Sequence, residues 1–337
     1  MNKKHFGKLA TGEEIYLYKL ENSKISAEII TYGAIIKSFC RTGSYNIVGS
    51  FDTLEDYLAD KTYQGAIIGR VANRIEDARF TIDGTEYILT RNSGKNCHHG
   101  GDGFNSKIWD VEESSNTSLT LSYYSKDGES GFPGGLKVFV TYSLLGSALI
   151  IDYKAYPEKK TPIALTSHPY FNLAGLGADI YSHEIAIYAD RYSAVNADLI
   201  PTGEHPKVDG TQLDLRSFRF LGETLKSDFA GYDHNFFISP SEFKEFNNKK
   251  LALAAKAKCN GLLLSVYTDM PNLQFYSVNS VFGPPDFTGS VKRVKHGTFC
   301  LEAQTEPNAV NHGQIIYDRD EIYTQTTVYK LEKIKDD

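Results

Sequence analysis

Between residues 136 and 155 the chain alternates with period two, and this pattern constrains its fold more than any other feature. Leu136, Val138, Val140, Tyr142 and Leu144 fall on one face, with Lys137, Thr141 and Ser143 opposite. After Gly146-Ser147 the pattern resumes in Leu149, Ile151, Tyr153 and Ala155, which predicts two antiparallel strands joined as a hairpin. Phe80-Thr81-Ile82, Asp83-Gly84 and Thr85 to Leu89 predict a second hairpin, because Asp-Gly suits a primed turn matched to strand twist. Further strands are legible at 25–31, 119–124, 184–188, 251–257, 262–267 and 273–279. Helical signals are few. Thr53 to Leu58 reads as a capped helical turn, and Ser241 to Phe246 as a second short helix. No strand–helix–strand alternation appears, which argues against a doubly wound sheet or a β/α barrel. No Pro/Gly/Ser linker divides the chain, so the expectation is one all-β domain over 1–337, built as a large antiparallel β-sandwich.

Several function classes lose support on composition and motif. A formal charge of −6 argues against a nucleic-acid partner, since phosphate backbones are bound by basic surfaces. No run of 18 apolar residues occurs, so no membrane span is expected. MNKKHFGKLATGEEIY has no apolar stretch behind its basic start and is not a secretory signal, which gives a cytoplasmic expectation. Cys40, Cys97, Cys259 and Cys300 are scattered, without metal or disulfide spacing, and read as reduced packing residues. Gly94-Lys95 lacks the rest of a phosphate loop, and Gly175-Leu176-Gly177 lacks a third glycine. His98-His99 invites a metal, but neighbours on a strand face opposite ways, and no ligand motif supports it. The expectation is no metal and no cofactor.

What remains is a series of dense polar clusters. Gly69 to Ile75 carries Arg70, Asn73 and Arg74, which could fork around hydroxyl groups, although a solvated loop accounts for that segment alone. In Asn96 to Gly101 the paired glycines would let backbone approach a ligand closely; a turn with incidental histidines is the other reading. Thr166 to Leu173 sets His168 beside a proline among aromatics, which suits a desolvated ring or a satisfied core histidine. Gly231 to Phe236 places Asp233 in an aromatic setting, or simply in a turn. Glu302 lies between Leu301 and Ala303 on an apolar strand. Glutamate is rarely buried without a partner or a task, so Glu302 reads as functional.

Taken in order, GRVANRI at 69–75, NCHHGG at 96–101, DGESGFPGG at 127–135, TSHPYFNL at 166–173, GYDHNF at 231–236, YTDMPNLQFY at 267–276 and LEAQTEPNAVN at 301–311 resemble the aldose 1-epimerase (galactose mutarotase) family. The resemblance spans nearly the whole chain. It implies the galactose-mutarotase-like supersandwich and an isomerase that interconverts the α and β anomers of a free aldose without a cofactor. It implies His168 as general acid and Glu302 as general base. It also implies Asn73, Arg74, His99, Asp233 and Gln274 as sugar-binding positions. The chain departs from the family at His98, where an apolar residue usually precedes the motif histidine. The implied chemistry needs an acid and a base in opposite protonation states, which an ionised glutamate and a protonated imidazole satisfy near neutral pH. The partner is a small-molecule aldose, and the protein is expected to be a monomer or homodimer.

Three other readings remain open at this stage. A sugar-binding module would use Arg74, Asp233 and aromatics without needing His168 and Glu302 together. A glycoside hydrolase would set Asp233 and Glu302 roughly 5–9.5 Å apart. A hexose-6-phosphate epimerase would need an extra cation, for which Arg70 is the spare arginine.

Overall fold

The computed structural model describes residues 2–334 and consists mainly of antiparallel strands. Its largest sheet runs in the order 110–114, 118–125, 136–145, 148–157, 323–333, 262–268, 249–259, 184–187 and 219–220, with 243–246 as a side branch on 249–259. A second sheet holds the four strands from Asn2–Lys8 to Ile35–Arg41 in sequence order. A third, the site sheet, orders Ala189–Tyr192, Asp233–Ile238, Asn272–Tyr276 and Cys300–Gln304.

The main core lies where these sheets meet. It joins Leu136, Val138, Val140 and Tyr142 of the large sheet to Ile25, Ala27 and Ile29 of the amino-terminal sheet and to Leu273, Phe275 and Leu301 of the site sheet. The alternation at 136–144 therefore has the predicted consequence. The odd-numbered residues Lys137, Thr141 and Ser143 stay half-exposed, while their even-numbered neighbours are buried. The hairpins also form as expected. Leu145 pairs Ala148 around Gly146, whose φ is +59°, and Ile82 pairs Thr85 around Asp83 and Gly84, both with positive φ. Each remaining predicted strand is present, with ends shifted by a few residues, as in Ile25–Ile30 and Lys249–Cys259.

The predicted helix at Thr53 is Leu54–Ala59, closed by a capping box between Thr53 and Asp56. The second is a correction. Phe243–Phe246 is a strand, paired with Lys249–Ala252. Asn247 and Asn248 both have positive φ, so they make the tight turn that returns the chain onto its neighbour. The buried Phe246 ring then packs on Tyr267, 5.2 Å away.

The site sheet explains how an acid comes to sit on an apolar strand. Gln274 is paired with Glu302, Asn235 with Gln274, and Asp233 with Tyr276. Cross-strand partners share a face, so Asp233, Gln274, Tyr276 and Glu302 project together, while Leu273, Phe275, Leu301 and Ala303 face the core.

Candidate functional site

One cavity of about 280 Å³ collects all seven residues singled out in the sequence: Asn73, Arg74, His99, His168, Asp233, Gln274 and Glu302. The site sheet supplies Asp233, Gln274 and Glu302 as its floor. His168 follows the short strand Thr166–Ser167 and is fixed through its main chain, its N–H donating to Ala66 O (3.0 Å) and its carbonyl accepting from Gly65 N (2.9 Å). Its Nε2 faces Glu302 Oε1 at 3.4 Å, and both side chains are buried. His168 Nδ1 and Glu302 Oε2 have no partner, which leaves two unsatisfied polar atoms at the floor of an open pocket.

Asn73 and His99 are clasped to each other. Asn73 N donates to His99 Nδ1 (3.1 Å) and His99 N donates to Asn73 O (2.9 Å). Since Nδ1 accepts, the neutral ring carries its proton on Nε2 and can donate from there. Asn73 Oδ1 accepts from Arg74 N (2.9 Å) and from the Arg74 guanidinium (3.4 Å), steadying that side chain at the cavity wall. Gln274 Nε2 donates to Asp233 Oδ1 (2.7 Å), which leaves Gln274 Oε1 without a partner.

Two expectations about this wall are corrected. His98 and His99 do not face apart: His99 has φ +52°, the strand alternation breaks, and their ring centroids lie 3.8 Å apart with both rings at the cavity. The glycines after them serve a different contact. A Cβ on Gly100 would lie 2.0 Å from Gly69 O, so the close approach is between two loops of the chain and not to a ligand.

Arg70 is also corrected. It is 2% exposed and does not line the cavity, and its guanidinium donates to Ser125 Oγ and O, Pro133 O, Thr161 Oγ1 and Lys126 O. It braces loops and is not free to meet a phosphate.

Burial opposes both charged forms expected of the central pair. Burial lowers His168 to about 4 and raises Glu302 well above the usual carboxylate range; Asp233 raises it further, and Arg74 opposes. Burial thus penalises the charged form of each group. Asp233 is raised by burial against the pull of Arg74 and Gln274. His98 and His99 are held well below the ordinary imidazole value, by desolvation first and then by neighbouring cationic groups. His99, His168 and Glu302 offer ligand atoms within 4.8 Å of one another, a spacing a divalent ion would accept. Two imidazoles and a carboxylate serve acid–base chemistry equally well without an ion.

Several lining residues carried no sequence signal of their own. Tyr63, at φ +61°, sets its ring 4.6 Å from His99 and 6.2 Å from His168. Tyr170 lies within the quoted 166–173 cluster and stacks on His168 at 5.0 Å, while its hydroxyl donates to Thr62 O (2.7 Å). Tyr276 and Phe282 complete an aromatic rim. Tyr276 was findable, because it lies two residues after Gln274 on the same strand face.

Comparison with known proteins shows the family and the fold. A family model described as aldose 1-epimerase matches residues 16–330. The galactose mutarotase of Rattus norvegicus is 41% identical, with 97% of each chain covered. The aldose 1-epimerase of Escherichia coli (strain K12) is 35% identical over 77% of this chain and 75% of its own. Among solved structures, galactose 1-epimerase from Lactobacillus acidophilus superposes with a TM-score of 0.85 at 26% identity, covering 99% of both chains.

Proposed function

This chain belongs to the aldose 1-epimerase family, and we propose that it interconverts the α and β anomers of a free aldose such as galactose or glucose by acid–base ring opening and reclosure. The observation that carries the mechanism is the buried His168–Glu302 pair, with facing atoms 3.4 Å apart. The anomeric hydroxyl oxygen and the ring oxygen are bonded to the same carbon. An acid and a base that serve both must therefore be neighbours, and these two are.

In the forward step Glu302 takes the proton of the anomeric hydroxyl and His168 gives one to the ring oxygen. The carbon–oxygen ring bond breaks and an aldehyde forms at C1. Glu302 is then protonated and His168 neutral, which is the state burial favours. Starting from the ion-pair form of Glu302 and His168, ring opening removes both charges from a dry site, so the desolvation that penalises the charged pair works in the direction of reaction. Rotation about C1–C2 turns the other aldehyde face to the ring hydroxyl. Closure then runs both transfers backwards and restores the pair. No electrons are transferred.

Rotation requires C1 to be loose while the rest of the sugar is held. In this reading Arg74, Asp233 and the Nε2–H of His99, which line the cavity, provide that hold, and Gln274 Oε1, without a partner, accepts from a hydroxyl. Tyr63, Tyr276 and Phe282 offer apolar faces to the ring's C–H bonds.

Polarimetry on freshly dissolved α-D-galactose and α-D-glucose tests this reading. Wild type should hasten the approach to anomeric equilibrium, and Glu302→Ala and His168→Asn should each lose that effect. Relaxation at the buffer rate for every free sugar would sink the assignment.

A further inference from the structure

The segment 277–299 joins the two site-sheet strands that carry Gln274 and Glu302, and it brings Phe282 to the rim of the cavity. Between Ser280 and Pro285 no main-chain group pairs with another main-chain group among the described residues. The hydrogen bond that reaches this stretch's main chain comes from a side chain: Arg293 Nη2 donates to Gly283 O (2.8 Å). The same guanidinium is buried, and its Nη1 donates to Asp60 Oδ1 (2.8 Å) and Thr62 Oγ1 (3.2 Å). Its carbon lies 5.2 Å from the Phe282 ring centroid and 5.4 Å from that of Phe51, so the cation sits between two aromatic faces. Asp60 also accepts from Thr62 N, Thr62 Oγ1 and Gln64 N, which shapes the turn that presents Thr62 and Tyr63 to the cavity.

We infer that Arg293 is a positioning residue for sugar binding, acting through Phe282 and the 60–64 turn while touching no substrate itself. A stretch without main-chain pairing has little stability of its own, and its place is set by whatever side chain holds it. Arg293 anchors it on a buried acid and on the turn that presents Thr62 and Tyr63 to the cavity. It thereby ties Phe282 to the turn that carries Tyr63, so two rings that line the cavity share one anchor. Guanidinium geometry is needed for this: a planar fork reaches Asp60 and Gly283 at once and stacks on both rings, whereas an ammonium is a single point charge. The inference rests on the mutarotase reading for the identity of the ligand.

The test is a double-mutant cycle of Arg293→Lys with Phe282→Ala. Lysine keeps a positive charge beside Asp60, so the buried acid is not left uncompensated and the fold survives. Arg293→Lys should raise the galactose KM about fivefold with kcat within about twofold, because binding is loosened and the acid–base pair is untouched. In the Phe282→Ala background the same change should add only about twofold, the part carried through the 60–64 turn, since the ring it positions is gone. An unchanged KM, a loss confined to kcat, or equal effects in both backgrounds would each overturn the inference. Galactose Kd by calorimetry on the four proteins reads the same cycle independently of turnover. Absence of turnover in wild type would therefore refute the reaction assignment while the Kd cycle still decides the role of Arg293.

Discussion

Replacing Glu302 by glutamine separates chemistry from architecture more cleanly than truncation does. The side chain keeps its shape in a site where it is 2% exposed, and its amide can still sit beside His168 Nε2. What disappears is the proton acceptor. A positioned base is worth roughly 10²–10⁴ in rate, or about 3 to 5 kcal/mol of barrier, so kcat should fall by that factor with KM little changed. Stability should move the other way. Glu302 has a raised folded-state pKa, so the folded protein holds that proton more tightly than the unfolded chain. Its contribution is fully present below the unfolded value of about 4.3 and is lost as pH rises through the folded value. Glutamine removes this loss, so Glu302→Gln should match wild type near pH 4 and exceed its melting temperature at pH 8. His168, lowered to about 4, has the opposite slope: its penalty grows as pH falls from its unfolded value and fades as pH rises. It is common to both proteins, so the difference between their curves isolates the glutamate. Progress curves by polarimetry and melts across pH 4–8 measure both effects. Retention of kcat within tenfold would refute the base assignment, and a fall in melting temperature at pH 8 would refute the burial argument.

Arg74→Met should raise KM for galactose more than it lowers kcat, because Arg74 lines the wall while His168 and Glu302 move the protons; steady-state kinetics decide this. Gly100→Ala should destabilise the fold by about 2 kcal/mol or more, since its Cβ would meet Gly69 O at 2.0 Å and its φ is +80°; denaturant melts check it. Thr53→Ala should cost about 1 kcal/mol through the lost helix cap and leave kcat and KM unchanged, which the same melts and assays would show.

The hairpin strand at Leu136–Leu145 was legible because it has one wet and one dry face, while Ile25–Ile30 and Leu262–Thr268, buried on both faces, were legible as apolar runs. At Phe243–Phe246 that signal is too short to decide between helix and strand. The turn at Asn247-Asn248 and the partner strand decide it. Glu302 stood out because a carboxylate between Leu301 and Ala303 has no scaffold explanation. Tyr63 and Phe282 did not, because irregular segments carry no period, and contacts made far along the chain place them. The electrostatic setting of the central pair was hidden for a related reason. A free glutamate and imidazole can both carry charge near neutral pH, and it is burial by the surrounding fold that penalises those charges here.

The paired faces of Cys300–Gln304 limit how such a protein can change over generations. Leu301 and Ala303 anchor the core, while Glu302, between them, serves the pocket. Insertion or deletion of one residue in this strand would exchange the two sets, sending the acid into the apolar interior and leucine into the sugar's place. Fold and activity would be lost together. Lineages can therefore explore this strand only by substitution at fixed length, while the connecting segments remain open to growth and can retune which sugars are accepted without disturbing the proton pair.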